Sequence, residues 1–138
     1  MKKRCFLLSL VLVLALSLSA FAATMEYPRF SINVPDGWSV SQDGSTVTIL
    51  ANDKSAALTV TVEDNDGTAI KDLADAYAKQ FKGTEPEVED DVYMFGFQND
   101  NGVDCYAVIC GDDSEYILLV VIGDHPQLEG MIDSIEEK

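Results

Sequence analysis

Positive charge is what this sequence has least of. Nine Lys and Arg stand against 24 Asp and Glu in 138 residues, a formal net charge of −15. Nucleic-acid binding depends on neutralising phosphates with cationic side chains, so that class of function is excluded, as is attraction to an anionic lipid surface. Histidine is scarcer still, with His125 alone. Any Ser-His-Asp or Cys-His mechanism would have to use it, and no nucleophile-elbow pattern accompanies it. One His and two mismatched Cys do not make a zinc ligand set either. Cysteine is limited to Cys5, Cys105 and Cys110.

Long apolar runs are also missing, with one exception. Met1-Lys2-Lys3-Arg4 is a positive segment, Phe6 to Leu18 is an apolar run, and Ala20-Phe21-Ala22 is a small-x-small site. This is the pattern of an export signal cleaved before Ala23. The run falls short of the roughly 20 apolar residues that cross a bilayer, and no Cys follows the small residues to accept a lipid. The expectation is a signal peptide over 1–22 and one domain over 23–138, periplasmic or secreted, with no membrane attachment after cleavage. Cleavage removes three of the nine cationic residues and no acid. Six then remain against 24, a net charge of −18 over 116 residues. Such acidity keeps a chain soluble, and it also attracts cations and basic partners.

Cys105 and Cys110 remain after cleavage. Both fall on an expected strand, where five residues span roughly 16 Å. A disulfide needs Cα atoms within about 7 Å, and odd spacing points the two side chains to opposite faces. A bond between them would need a bulge or turn in place of the strand, so both are expected to be buried free thiols.

The pattern along the chain is regular. Phe30, Ile32 and Val34 alternate with Ser31 and Asn33, followed by a Pro35-Asp36-Gly37 turn. Trp38 and Val40, then Val47 and Ile49, then Leu58, Val60 and Val62 continue the period-two alternation. These four strands are expected to form a meander with one wet face, with Asp43-Gly44 as a two-residue hairpin turn. The period changes between Thr68 and Lys82. Ile70, Leu73, Ala74, Tyr77 and Phe81 recur at helical spacing, with Thr68 as N-cap and Gly83 in the C′ position. Gly83 to Asp91 reads as an acidic loop. Strands follow at Val92–Gln98, Val103–Cys110 and Glu115–Ile122. The last is apolar at consecutive positions from Tyr116 to Ile122, which predicts a central strand covered on both faces. Pro126 then opens a closing helix with the stripe Leu128, Met131, Ile132 and Ile135.

The fold class expected is α+β: a single, mostly antiparallel seven-stranded sheet flanked by two helices, in the order ββββ-α-βββ-α. That order, opened by Phe30-x-Ile32-x-Val34-Pro35-x-Gly37-Trp38 and closed by Leu128 to Ile135 with Ser134 inside it, resembles the PsbP-like fold family. The resemblance implies a binding or assembly module, not an enzyme, and no catalytic residues carry over from it.

Candidate sites are few. Trp38, Tyr93, Phe95, Phe97 and Tyr106 are candidates to line a ligand pocket; Tyr93, Phe95 and Phe97 share one strand face, where core packing beneath a helix is the simpler reading. Asp64, Asp66, Asp100, Asp112 and Asp113 sit in acidic, Gly-containing turns and are weak candidates for calcium. Neither Asp64-Asn65-Asp66-Gly67 nor Asn99-Asp100-Asn101-Gly102 fits a calcium loop. With the glycine at position six, Val62 and Leu73, or Phe97 and Val108, occupy the ligand positions. Turn chemistry accounts for both. Glu85 to Asp91 reads as a solvated loop, or as a docking strip for a basic partner. The leading expectation is a non-enzymatic exported module without cofactor that binds a protein or small ligand. An acidic calcium-binding accessory protein is the alternative, and a hydrolase with an unrecognised site the third.

Overall fold

The computed structural model describes residues 23–138; the expected signal segment 1–22 and Cys5 lie outside the described residues. The elements run β1 (Ala23–Glu26), β2 (Phe30–Val34), β3 (Trp38–Asp43), β4 (Thr46–Ala51), β5 (Ala56–Asp64), α1 (Ile70–Phe81), β6 (Glu87–Glu89), β7 (Val92–Gln98), β8 (Asp104–Gly111), β9 (Glu115–Gly123), α2 (Leu128–Asp133) and β10 (Glu136–Glu137). The expected class holds. A seven-stranded sheet in the order β3-β4-β5-β9-β8-β7-β6 is antiparallel throughout, and the two helices are present.

Membership of that sheet differs from the expectation in two places. The Phe30–Val34 strand does not join the meander. It forms the centre of a separate three-stranded sheet, between β1 and β10. Pro35 and Gly37, whose φ is +95°, carry the chain across to the second layer instead of back alongside. The seventh place is taken by β6, inside what reads as an acidic loop. Glu87, Val88 and Glu89 are all exposed, so no buried alternation marks them. Asp90 and Asp91 form the two-residue connection to β7, both at positive φ, 53° and 67°. Paired positive φ is the requirement of a type I′ hairpin, and Asp tolerates it better than most residues.

Two further local expectations are corrected. Asp43 pairs with Thr46, so the β3–β4 loop is Gly44-Ser45 and only Gly44 has positive φ. The residue that precedes α1 is Ala69 in extended conformation, with no side-chain cap. At the other end the left-handed residue is Lys82, φ 58°, and Gly83 donates its N–H to Ala78 O at 2.8 Å. Gly83 serves a different purpose. A Cβ there would lie 2.7 Å from Gly96 O and 2.7 Å from Phe95 Cδ1. Thr84 then exchanges two hydrogen bonds with Gly96, N–H to O at 2.9 Å and Gly96 N–H to Thr84 Oγ1 at 3.1 Å.

The strand parities sort the core into two layers. Ile117, Leu119 and Val121 of β9 point into a cluster with Val47, Ile49, Leu58 and Val60, closed by Phe30, Ile32 and Val34 of the small sheet and by Leu128 and Met131 of α2. Tyr116 and Leu118 point the other way, with Phe95, Ala107 and Ile109, and pack beneath Ala74 and Ala78 of α1. The prediction that this strand is covered on both faces therefore holds. The small sheet is tied on by Ser134, whose hydroxyl accepts from Asn33 N–H at 2.9 Å and donates to Met131 O at 2.6 Å. Arg29 reaches across to Asp64 at 3.1 Å and Glu115 at 3.3 Å.

Candidate functional site

The two faces of β7 and β8 are treated differently. Tyr93, Phe95 and Phe97 face α1, where the Phe81 ring lies tilted against Phe97 at 4.9 Å between ring centres and against Phe95 at 6.0 Å. They fill the layer under the helix. The opposite face carries Val92, Met94, Tyr106 and Val108, in register as Met94 beside Val108. Among the described residues only α2 and the two-residue β10 lie over this side, and they do not reach across it. The result is a cavity of about 670 Å³. Its floor is Met94, Tyr106, Val108, Leu119 and Val121; Ile132 and Ile135 form the apolar part of its wall. Met94 is 44% exposed and Tyr106 38%, values that mark an apolar surface left open.

The rim is polar and of one sign. Asp124, Glu129, Asp133, Glu136 and Glu137 line the α2 side, with no Lys or Arg among the described lining residues. Burial, followed by the neighbouring carboxylate of Glu129, raises the Asp133 carboxyl above the ordinary aspartate range. Burial also raises the Tyr106 hydroxyl, with Glu129 and Asp124 adding to the effect. Desolvation and like charge both act against the ionised form.

His125 sits at the mouth. Its ring meets Trp38 edge-on at 4.8 Å and 71°, and its Nδ1 accepts from Gln127 N–H at 3.1 Å. Trp38 Nε1 in turn donates to Gln127 Oε1 at 2.8 Å. The cavity also touches Cys110, but the two groups lie at opposite ends. Cys110 pairs with Ile117, while His125 follows Gly123; six residues of strand separate those levels by roughly 20 Å. A hydrogen-bonded Cys-His pair needs about 3 Å.

Among the pocket candidates, Tyr106 reaches the cavity floor and Trp38 braces its mouth. Tyr93, Phe95 and Phe97 lie across the sheet from both, so the structure does not bring the five together. Met94, Val108 and the acidic rim escaped the sequence reading. Their one signal is that Val92, Met94, Tyr106 and Val108 are apolar on the strand face opposite the aromatic one.

The acidic turns are divided between the two ends of the sheet. Asp64, Asp66, Asp112 and Asp113 gather where β5 ends and β8 turns into β9; Asp100 lies in the β7–β8 turn at the other end. Asp64 is bridged to Arg29, and Asp66 occupies a left-handed turn position. Asp112 Oδ1 accepts from the N–H groups of Ser114 and Glu115 at 2.8 and 3.0 Å. Asn99 Oδ1 does the same for Asn101 and Val103, at 2.9 and 3.0 Å. These carboxylates and amides shape turns. Among the described residues no group of three or more His, Cys, Asp or Glu converges on a metal-sized site. Cys105 is a buried free thiol, as expected, and is not bridged to Cys110; Cys110 is itself disulfide-bonded, which corrects the expectation of a second free thiol there.

A seven-stranded antiparallel sheet with a helix on one face and a small sheet plus short helix on the other is a PsbP-like fold. The chain is similar to the solution structure of cyanobacterial PsbP (CyanoP) from Synechocystis sp. PCC 6803. The TM-score is 0.56 at 13% identity, covering 86% of this chain and 94% of that one. It is also similar to a crystal structure from Bacteroides thetaiotaomicron VPI-5482, with TM-score 0.54 and 16% identity over 79% of this chain. The chain spans only 45% of that second protein. No family model matches the sequence, and no curated protein does. Likeness at these identities establishes the fold. No helix among the described residues is long and apolar enough to cross a membrane.

Proposed function

We propose that this protein is an exported, non-enzymatic binding module whose ligand occupies the cavity between α2 and the β7–β9 face. The observation that carries the reading is the cavity itself. Its 670 Å³ falls within the range of about 300–1,000 Å³ typical of small-molecule sites. Its lining has the usual character too, an apolar floor with polar groups at one side. The wide separation of His125 from Cys110 supports binding over catalysis. Export rests on the residue pattern of 1–22.

The test is fluorescence of Nile red, a neutral dye that brightens and shifts to the blue in apolar surroundings. The protein should produce that change, and Met94→Lys, which places a charge on the cavity floor, should abolish it. Val88→Lys is the control. Val88 is 56% exposed on the other face of the sheet, beside Tyr93, so this variant should bind the dye unchanged. Equal dye binding by all three proteins would place the apolar site elsewhere and refute the reading.

A further inference from the structure

We infer that the occupant of this cavity is a small cationic amphiphile, its apolar body on the Met94–Val108–Val121 floor and its ammonium end held by Asp124, Glu129 and Tyr106. The inference rests on the binding reading above and adds the chemistry of the ligand.

Three observations converge on it. The rim carries five carboxylates, Asp124, Glu129, Asp133, Glu136 and Glu137, and no Lys or Arg among the described lining residues. All five lie on the α2–β10 side, while the floor is apolar, so the site separates charge recognition from apolar contact. An anion would meet like charge along this rim, and a neutral molecule would leave the charge unused. Tyr106 adds an aromatic ring at the floor's edge, within the field of Glu129 and Asp124. An aromatic ring together with carboxylates is recurrent recognition chemistry for ammonium groups. Ammonium binding would also offset the Glu129 charge that, second to burial, raises the Asp133 carboxyl above its ordinary range.

Size favours a small ligand over a protein segment. From the Val121 level to the Ile117 level the floor runs four residues, roughly 13 Å, and it spans two strand spacings, about 10 Å. A helix about 10 Å across laid along that length would fill on the order of 1,000 Å³, more than the 670 Å³ present.

Calorimetric titration with four probes below their micelle-forming concentrations tests the inference. They are octyltrimethylammonium, octanol, octyl sulfate and tetramethylammonium. Octyltrimethylammonium should bind at least tenfold more tightly than octanol, with octyl sulfate and tetramethylammonium weaker still. The double variant Asp124→Asn/Glu129→Gln should reduce the cation's advantage over octanol to threefold or less while leaving octanol binding intact. Met94→Lys should remove both. Equal binding of the cation and octanol, each lost in Met94→Lys, would overturn this inference and leave the cavity reading standing. Binding of tetramethylammonium as tight as that of the octyl compound would reduce the effect to surface charge and overturn it. A basic amphipathic peptide binding tenfold more tightly than octyltrimethylammonium would overturn the assignment to a small ligand. No binding by any octyl probe would overturn the cavity reading as well.

Discussion

The exit of α1 offers a paired test of local structure, because Lys82 and Gly83 hold roles opposite to those their residue types suggest. A lysine takes the left-handed position at φ 58°, and a glycine sits where the next strand comes closest. Left-handed backbone costs a residue with a Cβ roughly 1–2 kcal/mol. Glycine at the same place returns about 0.4–1 kcal/mol of that through the greater freedom of the unfolded chain. Lys82→Gly should therefore stabilise the fold by about 0.5–1 kcal/mol. Gly83→Ala drives a methyl to 2.7 Å from Gly96 O and Phe95 Cδ1. One of these is backbone, and it already accepts the Thr84 N–H at 2.9 Å, so it cannot move without loosening the edge of β7. Overpacking of this kind costs about 1–3 kcal/mol, offset by about 0.4–1 kcal/mol from the unfolded state. The net is a loss of about 1–2 kcal/mol. For a domain of this size each kcal/mol moves the midpoint by roughly 4 °C. Thermal unfolding followed by far-UV circular dichroism should show Gly83→Ala lower by about 4–8 °C and Lys82→Gly higher by about 2–4 °C. The reverse order, with alanine tolerated at 83 and glycine harmful at 82, would mean that Gly83 is the left-handed residue after all and refute the reasoning.

Other consequences can be measured on the same protein. The Asp133 carboxyl is raised in the fold, by burial first and Glu129 second, so the folded state holds a proton that the unfolded chain has already released. Ionised Asp133 thus lowers stability at neutral pH, and the penalty vanishes as the pH falls below the ordinary aspartate range. Asp133→Asn should be more stable than the parent in urea at pH 7 and converge with it near pH 3.5; a constant difference across that range would exclude the titration. Trp38 is the sole tryptophan and is buried against His125, so its emission reports on the cavity mouth. Trp38→Phe should cost about 1–2 kcal/mol in ring contacts and the bond to Gln127, and an unchanged urea midpoint would contradict the packing. Arg29 is 40% exposed while bridging Asp64 and the more buried Glu115. Arg29→Gln should cost about 1 kcal/mol at low salt and less at 1 M sodium chloride; a salt-independent loss would point to packing instead.

How much of this was legible depended on whether an element buries a pattern. β2, β4, β5, β9 and α1 each bury a regular face, and the residue period alone locates them. β1, β6 and β10 bury almost nothing, since their residues are exposed apart from half-buried Met25 and Glu137. They exist because a neighbour leaves backbone donors and acceptors to pair, which no period records. The Asp90-Asp91 turn was illegible for a related reason. Asp-Asp is a less usual choice than Asn-Gly for two successive left-handed residues, and it was embedded in a run of acids that reads as solvated loop. The helix exit misled in the opposite direction. Glycine after a last helical turn is the commonest left-handed cap, but this glycine answers to Phe95 and Gly96, contacts distant in sequence.

The cavity follows from the same limits. In β9 the alternation of Tyr116 and Leu118 with Ile117 and Leu119 says that both faces are apolar, and both are covered. β7 and β8 carry the same two-sided signal, with Phe95, Ala107 and Ile109 on one face and Met94, Tyr106 and Val108 on the other. Pattern alone extends the conclusion to them. Cover, however, depends on what the second layer can span. On the α1 side a twelve-residue helix lies over β7 and β8. On the other side, among the described residues, a six-residue helix and a two-residue strand are all that extend past the small sheet. Six residues of helix rise about 9 Å, short of the roughly 13 Å of strand beneath. An apolar face longer than its cover must either be filled or remain wet. Placing every carboxylate of that rim on the wall, and none on the floor, keeps the exposed face dry enough to bind an apolar body while selecting the charge of what enters.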